Sequence, residues 1–168
     1  MNAQERRQAI LETIRAAQKP ISATALANEF HVSRQIVVGD VALLRAAGLD
    51  IQATPRGYVS GAESAGVTAV LACVHDGQDM ARELNAMVDC GCEVVDVIVE
   101  HPVYGQLTGQ LRLRSRHDVE QFLKKAEGSR PLSHLTGGIH LHTVRCADEE
   151  TLKRVTDALN KEGFLLAD

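Results

Sequence analysis

"ISATALANEFHVSRQIVVGDVALLRAAG", residues 21–48, reads as two helices joined by a tight turn. Ser22 can accept a hydrogen bond from the free amides at the start of a short helix whose inner face is Leu26, Ala27 and Phe30. After the turn His31-Val32-Ser33, Ser33 can cap a longer helix that sets Val37, Val41 and Leu44 inward at i, i+4 and i+7, and Gly48 ends it. Upstream, Ile10, Leu11 and Ile14 form the apolar stripe of a first helix. Lys19-Pro20 stops it, because a residue before proline is pushed out of the α region. Downstream, "LDIQATPRGYVSG" (49–61) places β-prone residues on both sides of Pro55-Arg56-Gly57, the pattern of a hairpin.

Three helices and a hairpin in this order can read DNA. The second helix crosses the phosphate backbone, the third enters the major groove by its N-terminal residues, and the hairpin touches the flanking groove. Ser33, Arg34 and Gln35 stand at that N-terminus. Arg can pair bidentately with guanine, Gln with adenine, and Ser can bond a phosphate. Arg56 is positioned to enter the minor groove and Lys19 to meet a phosphate. A three-helix protein-interaction module would show the same pattern. The stretch 21–48 strongly resembles the winged helix-turn-helix of bacterial regulators, which implies double-stranded DNA as the partner. It departs from them at Gly39, inside the third helix, where glycine costs roughly 1 kcal/mol of helix propensity and removes one side chain from the DNA face.

The chain has 168 residues, 45% of them hydrophobic, enough to build a core in one medium domain or two small ones. "SGAESAG" (60–66) is small and polar without periodicity, the composition of a linker. The expected units are therefore a DNA-binding domain over 1–60 and a second domain over 67–168. Charge divides the same way: residues 1–60 carry seven Lys and Arg against five Asp and Glu, and residues 61–168 carry eleven against seventeen. The start "MNAQERRQ" has no apolar run, and stretches such as Val70 to Val74 are far too short to span a bilayer, so a soluble, cytoplasmic protein without a membrane partner is expected. The four cysteines then read as reduced thiols, and Cys90-Gly91-Cys92 lacks the two-residue spacer of common zinc knuckles.

Beyond residue 66 the periods change. "VTAVLACVH" is a buried-type strand, and "GQDMARELNAMVDCG" a helix with Met80, Leu84, Met87 and Val88 on one side. "EVVDVIVEHP" and "QLTGQLRLR" are strands, the latter with apolar residues at 107, 111 and 113. Ser115 opens a helix facing inward with Val119, Phe122, Leu123 and Ala126. After a loop at Pro131 come the strand "IHLHTV", a helix built on Leu152, Val155 and Leu159, and a last strand "FLLA". The order β-α-β-β-α-β-α-β predicts an α+β protein: a winged helix-turn-helix followed by a ferredoxin-like α/β sandwich with its helices on one face.

His140 and His142 share one face of their strand, His75 ends another, and Glu83 follows eight residues later in the next helix. A strand end, its following helix and a neighbouring strand can converge at one rim, so these four can form a shell of three imidazoles and one carboxylate. Such donors suit zinc, nickel, iron or manganese, although strand histidines are often plain surface or hydrogen-bonded residues. His31, His117 and His134, in a turn, at a helix start and in a loop, read as non-ligands.

"ACVHDG", "DVIVEHPVYGQLTGQL" and "LTGGIHLHTV", in this order behind a winged helix, resemble the 3H domain of niacin-responsive transcriptional repressors over nearly the whole chain. The resemblance implies a non-enzymatic repressor with nicotinic acid as co-repressor and a transition-metal site formed by His75, Glu83, His140 and His142. His101 of "EHPVYG" is the family's other marked histidine. Together with Tyr104 it can supply an aromatic face for a pyridine ring and a donor for a carboxylate, unless the pair only stabilises its turn. The expected protein is a homodimer on a palindromic operator. The rival readings are a metal-responsive regulator and a metal-dependent hydrolase with an attached DNA-binding domain.

Overall fold

The computed structural model describes residues 1–61 and 66–166 and divides the chain into two compact units, Met1–Glu63 and Ser64–Asp168. Most of the linker expected at 60–66, namely residues 62–65, lies outside the described residues.

In the first unit, α1 (Ala3–Ala16) starts from a capping box: the Asn2 side chain accepts from the amides of Gln4 and Glu5, and the Asn2 amide donates to the Glu5 carboxylate. The serines at 22 and 33 cap as expected, accepting from the amides of Ala25 and Ile36 to open α2 (Ala23–Glu29) and α3 (Arg34–Ala46). Ile10, Leu11 and Ile14 of α1 close a core with Leu26, Ala27, Val37, Val41 and Leu44, and Phe30 packs against it half-buried. The buried Asp40 of α3 accepts from the Arg6 guanidinium at 2.6 Å, tying α3 to α1.

The hairpin is β1 (Ile51–Thr54) and β2 (Gly57–Ser60). A feature the sequence did not announce is a third rung. Ile21, between α1 and α2, exchanges backbone hydrogen bonds of 3.0 and 2.8 Å with Tyr58, which fixes the wing against the helices. Gly57 makes this possible: its φ is +136°, and a Cβ there would lie 2.4 Å from the Ile21 carbonyl carbon. Gly39 has no such role, since a Cβ there would meet nothing within 4 Å. Gly39→Ala is therefore expected to raise stability by roughly 1 kcal/mol through helix propensity, read as a higher thermal midpoint; a lower midpoint would contradict it.

The second unit runs β3 (Val67–Val74), α4 (Met80–Asp89), β4 (Glu93–His101), β5 (Gly105–Leu113), α5 (Arg116–Ala126), β6 (Ile139–Cys146) and α6 (Glu149–Lys161). Its sheet is antiparallel in the order β3-β6-β4-β5. The last full strand thus sits between β3 and β4 and splits the β3-α4-β4 unit, a detail that chain order alone does not specify. Leu84, Met87, Val88, Val119, Val155 and Leu159 from the helices cover Cys73, Val94, Leu111, Leu113, Val144 and Cys146 from the strands in one core. The helices occupy one face, as the α+β sandwich requires.

Two expectations need correction. "FLLA" is not a full strand: Leu165 makes a single bridge to Cys73, flanked by backbone bonds from Val74 to Phe164 (2.8 Å) and from Leu166 to Ala72 (3.0 Å), and Ala167 lies outside the described residues. The segment after Pro131 is not irregular throughout but contains a short 3-10 helix, Leu132–Thr136, which includes His134. In β5 the register shifts opposite Val94 and Asp96, and Arg112 takes a positive φ of 54°. The shift is a β-bulge, and Leu111 and Leu113 are both buried while Leu107 is half-buried. Among the described residues no helix is long and apolar enough to cross a membrane.

Candidate metal centre and nucleic-acid interface

Glu83 lies in the first turn of α4, where a carboxylate also meets the positive end of the helix. It shares the buried side with Leu84 and Met87, and its side chain is 1% exposed. Across from it β6 presents His140 and His142, two residues apart and both on the helix-covered face with Val144. His75 follows the end of β3. The structure brings all four together. His140 Nε2 is 2.8 Å from Glu83 Oε1, His142 Nε2 is 3.3 Å from Oε2, and His75 Nε2 contacts the same Oε2. The His140 ring packs edge-on between His75 and His142 at centroid distances of 4.8 and 4.9 Å.

The far side of each ring is also held. Nδ1 of His75 faces the Asp76 carbonyl, Nδ1 of His140 the Gly138 carbonyl at 2.8 Å, and Nδ1 of His142 the Asp96 carbonyl at 2.8 Å. Carbonyl oxygens only accept, so each Nδ1 carries the hydrogen, and a neutral ring then turns a lone pair on Nε2 toward Glu83. Gly138 is part of this scaffold: its φ is +94°, and a Cβ there would lie 2.4 Å from the His75 carbonyl oxygen. A larger residue would push apart two of the three imidazoles.

Three Nε2 lone pairs and a carboxylate converging in a buried site are acceptors facing acceptors. Either the rings are protonated or a cation lies between them. Three buried imidazolium groups around one carboxylate would carry a surplus of positive charge in a low-dielectric interior, which is costly. Burial alone would raise the Glu83 carboxyl, but the imidazoles of His140, His142 and His75 gathered around it hold it well below the usual carboxylate range. Burial opposes a charged His75, yet its bond to Glu83 and to the Asp76 carbonyl raises it on balance. His142 Nε2 is buried and has no aligned hydrogen-bond partner. The donor set, the Nδ1 anchors and this orphaned nitrogen fit a divalent transition metal.

One residue of the cluster escaped the sequence reading. Cys73 is fully buried on β3, directly opposite His140, and its Sγ lies within 4.8 Å of both a Glu83 oxygen and a His140 nitrogen. Burial and the negative Glu83 push its thiol up. Its position two residues before His75, on the same strand face, was the available signal. His101 and Tyr104 are brought to each other at the β4–β5 turn, with ring centroids 5.0 Å apart. His101 Nδ1 accepts from the amides of Val103 (3.1 Å) and Tyr104 (3.2 Å), so the ring holds the turn, and Tyr104 is 75% exposed. His31 and His117 are exposed, and so is His134.

In the first unit Arg34 and Gln35 are exposed in the first turn of α3, immediately after the capping Ser33. Lys19 is exposed before Pro20, and Arg56 is half-buried at the wing turn, its amide donating to Thr54 Oγ1 at 3.2 Å. The Ile21–Tyr58 rung sets the segment after Lys19 beside the wing. The side chains expected to read bases and meet phosphates therefore sit on the elements that the winged-helix geometry requires.

Comparison with known proteins places both units. The 3H domain family matches residues 68–168, and an HTH domain family matches residues 6–59. The probable transcription repressor NiaR of Thermotoga maritima is 42% identical over 165 residues, covering 97% of this chain and 94% of that protein. The transcription repressor NadR of Bacillus subtilis is 36% identical over 169 residues, with the same coverage of 97% and 94%. Both relatives are repressors and not enzymes, and the chain belongs to this family of 3H-domain transcription repressors with an N-terminal helix-turn-helix domain.

Proposed function

We propose that this repressor acts as a cytoplasmic homodimer on a palindromic operator, with nicotinic acid as co-repressor and a divalent transition metal in the 3H domain. The observation that carries the metal reading is the convergence of three Nε2 atoms on the buried Glu83 carboxylate. His75, Glu83, His140 and His142 would hold zinc, nickel, iron or manganese, and when bound the ion supplies a Lewis-acidic position for a pyridine nitrogen or a carboxylate. The chain's own part is to present these donors already oriented, through the Asp76, Gly138 and Asp96 carbonyls. His101 and Tyr104 are the proposed effector contacts; the exposure of Tyr104 leaves its ring face and hydroxyl free for a pyridine carboxylate.

Ser33, Arg34, Gln35, Lys19 and Arg56 are the proposed DNA contacts. Nicotinic acid favours operator binding to the extent that it binds the DNA-competent conformation more tightly than the other. The test is operator affinity by fluorescence anisotropy at fixed salt, without ligand, with nicotinic acid and with nicotinamide. Nicotinic acid is expected to tighten binding at least about 5-fold, the lower end of ordinary allosteric coupling. Equal affinity in all three samples would remove the co-repressor from the account.

A further inference from the structure

Three of the four cysteines lie away from the metal cluster, and two of them touch. Cys92 immediately precedes β4, and Cys146 is the last residue of β6. Because Glu93 pairs with Arg145 in the antiparallel register, Cys92 and Cys146 are the next opposed positions along the two strands. Their Sγ atoms are 2.6 Å apart, and both residues are almost fully buried. Opposed residues in antiparallel strands have Cα atoms about 4.5–5.5 Å apart, inside the range of about 4.4–6.8 Å that a disulfide bridges without moving the backbone. A cavity of about 220 Å³ opens beside the pair, lined by both cysteines together with Glu93, Arg114 and Arg145. That volume admits a small uncharged oxidant. Arg112, Arg114 and Arg145 all approach the Glu93 carboxylate, at 3.4, 3.4 and 3.1 Å.

We propose that Cys92 and Cys146 form a modification site for peroxides, in which the pair is converted reversibly to a cross-strand disulfide. One thiol takes an oxygen atom from hydrogen peroxide, giving a sulfenic acid and releasing water. The other thiol then attacks that sulfur, the S–S bond forms, and the sulfenic oxygen leaves as a second water. Two thiol hydrogens and two electrons pass to the peroxide, and a dithiol reductant reverses the change. Arg154 is the nearby cation that favours an anionic sulfur at Cys92. Burial holds the resting Cys92 thiol well above the ordinary range, so the reaction is slower than that of free cysteine. The product would clamp β4 to β6, the strand that carries His140 and His142.

Cys90 is the necessary control, because it is half-buried in the same cluster and shares a peptide with Cys92. The full-length protein and its Cys90→Ser variant are treated with hydrogen peroxide while folded, then unfolded, alkylated and mapped by mass spectrometry. The expected product in both is two hydrogens lighter, joins the peptide of Cys92 to that of Cys146, and disappears on treatment with dithiothreitol. Cys146→Ser is expected to gain oxygen at Cys92 without a cross-link. Oxygen addition to the unvaried protein without a 92–146 link, a link through Cys90 alone, or full alkylation of both thiols would each overturn the proposal.

Discussion

Glu83→Gln is expected to lower the metal affinity of the 3H domain by more than about 100-fold, because removing even an outer-sphere partner of a metal ligand costs about 10–100-fold and Glu83 supplies the only carboxylate in the shell. The amide keeps the shape and size of the side chain. It loses the negative charge that offsets a divalent ion, and its NH2 can donate to at most two of the three Nε2 lone pairs, which relieves part of the acceptor crowding without metal. The fold should therefore survive while the affinity does not. Metal retained per chain after dialysis against a weak chelator is the readout, with His117→Ala, an exposed histidine on α5, as the variant that should retain metal as the unvaried protein does. Equal retention by Glu83→Gln would show that the imidazole cluster holds its ion without the carboxylate, or holds none.

Arg34→Ala should weaken operator binding by about 5–150-fold, the effect of about 1–3 kcal/mol for one bidentate contact to a guanine. Arg34 is the first residue of α3 and is exposed, so its loss removes no core contact and should leave thermal stability unchanged. Lys at this position should not restore affinity, since an ammonium cannot reproduce the planar fork of a guanidinium. Lys19→Ala should behave differently. A phosphate contact carries no base information, so binding should fall uniformly across sequences and the salt slope should drop by about 1. Titrations of operator and scrambled duplexes at several salt concentrations separate the two patterns. If Arg34→Ala weakened both duplexes equally, the recognition helix would be contacting backbone and not bases.

The first unit was legible nearly residue by residue, because its signals are local. Ser22 and Ser33 cap the helices they precede, and Val37, Val41 and Leu44 face inward at the helical period. The Ile21–Tyr58 rung was not legible, since it joins residues 37 positions apart through backbone atoms that no side chain announces. The histidine shell was legible in part for the same reason that strand faces are: His140 and His142 alternate, and Glu83 sits where α4 turns inward. What joined them was the sheet order, with β6 beside β3, and this is a non-local fact. Cys73 was hidden by its own chemistry. In "VTAVLACVH" a buried thiol looks like another small apolar residue, and only the register opposite His140 shows it beside the donors. "FLLA" read as a strand because its apolar run matches one, yet it contributes a single bridge at the outer edge of β3.

The central claim is that the buried cluster on α4, β3 and β6 couples nicotinic acid to operator binding. Its most direct test is operator affinity at one salt concentration for protein of measured metal content, metal-loaded and metal-stripped, each with and without nicotinic acid. Tightening by nicotinic acid in the loaded protein alone, lost again in Glu83→Gln, is the predicted result. The same response to nicotinic acid in loaded and stripped protein would contradict it.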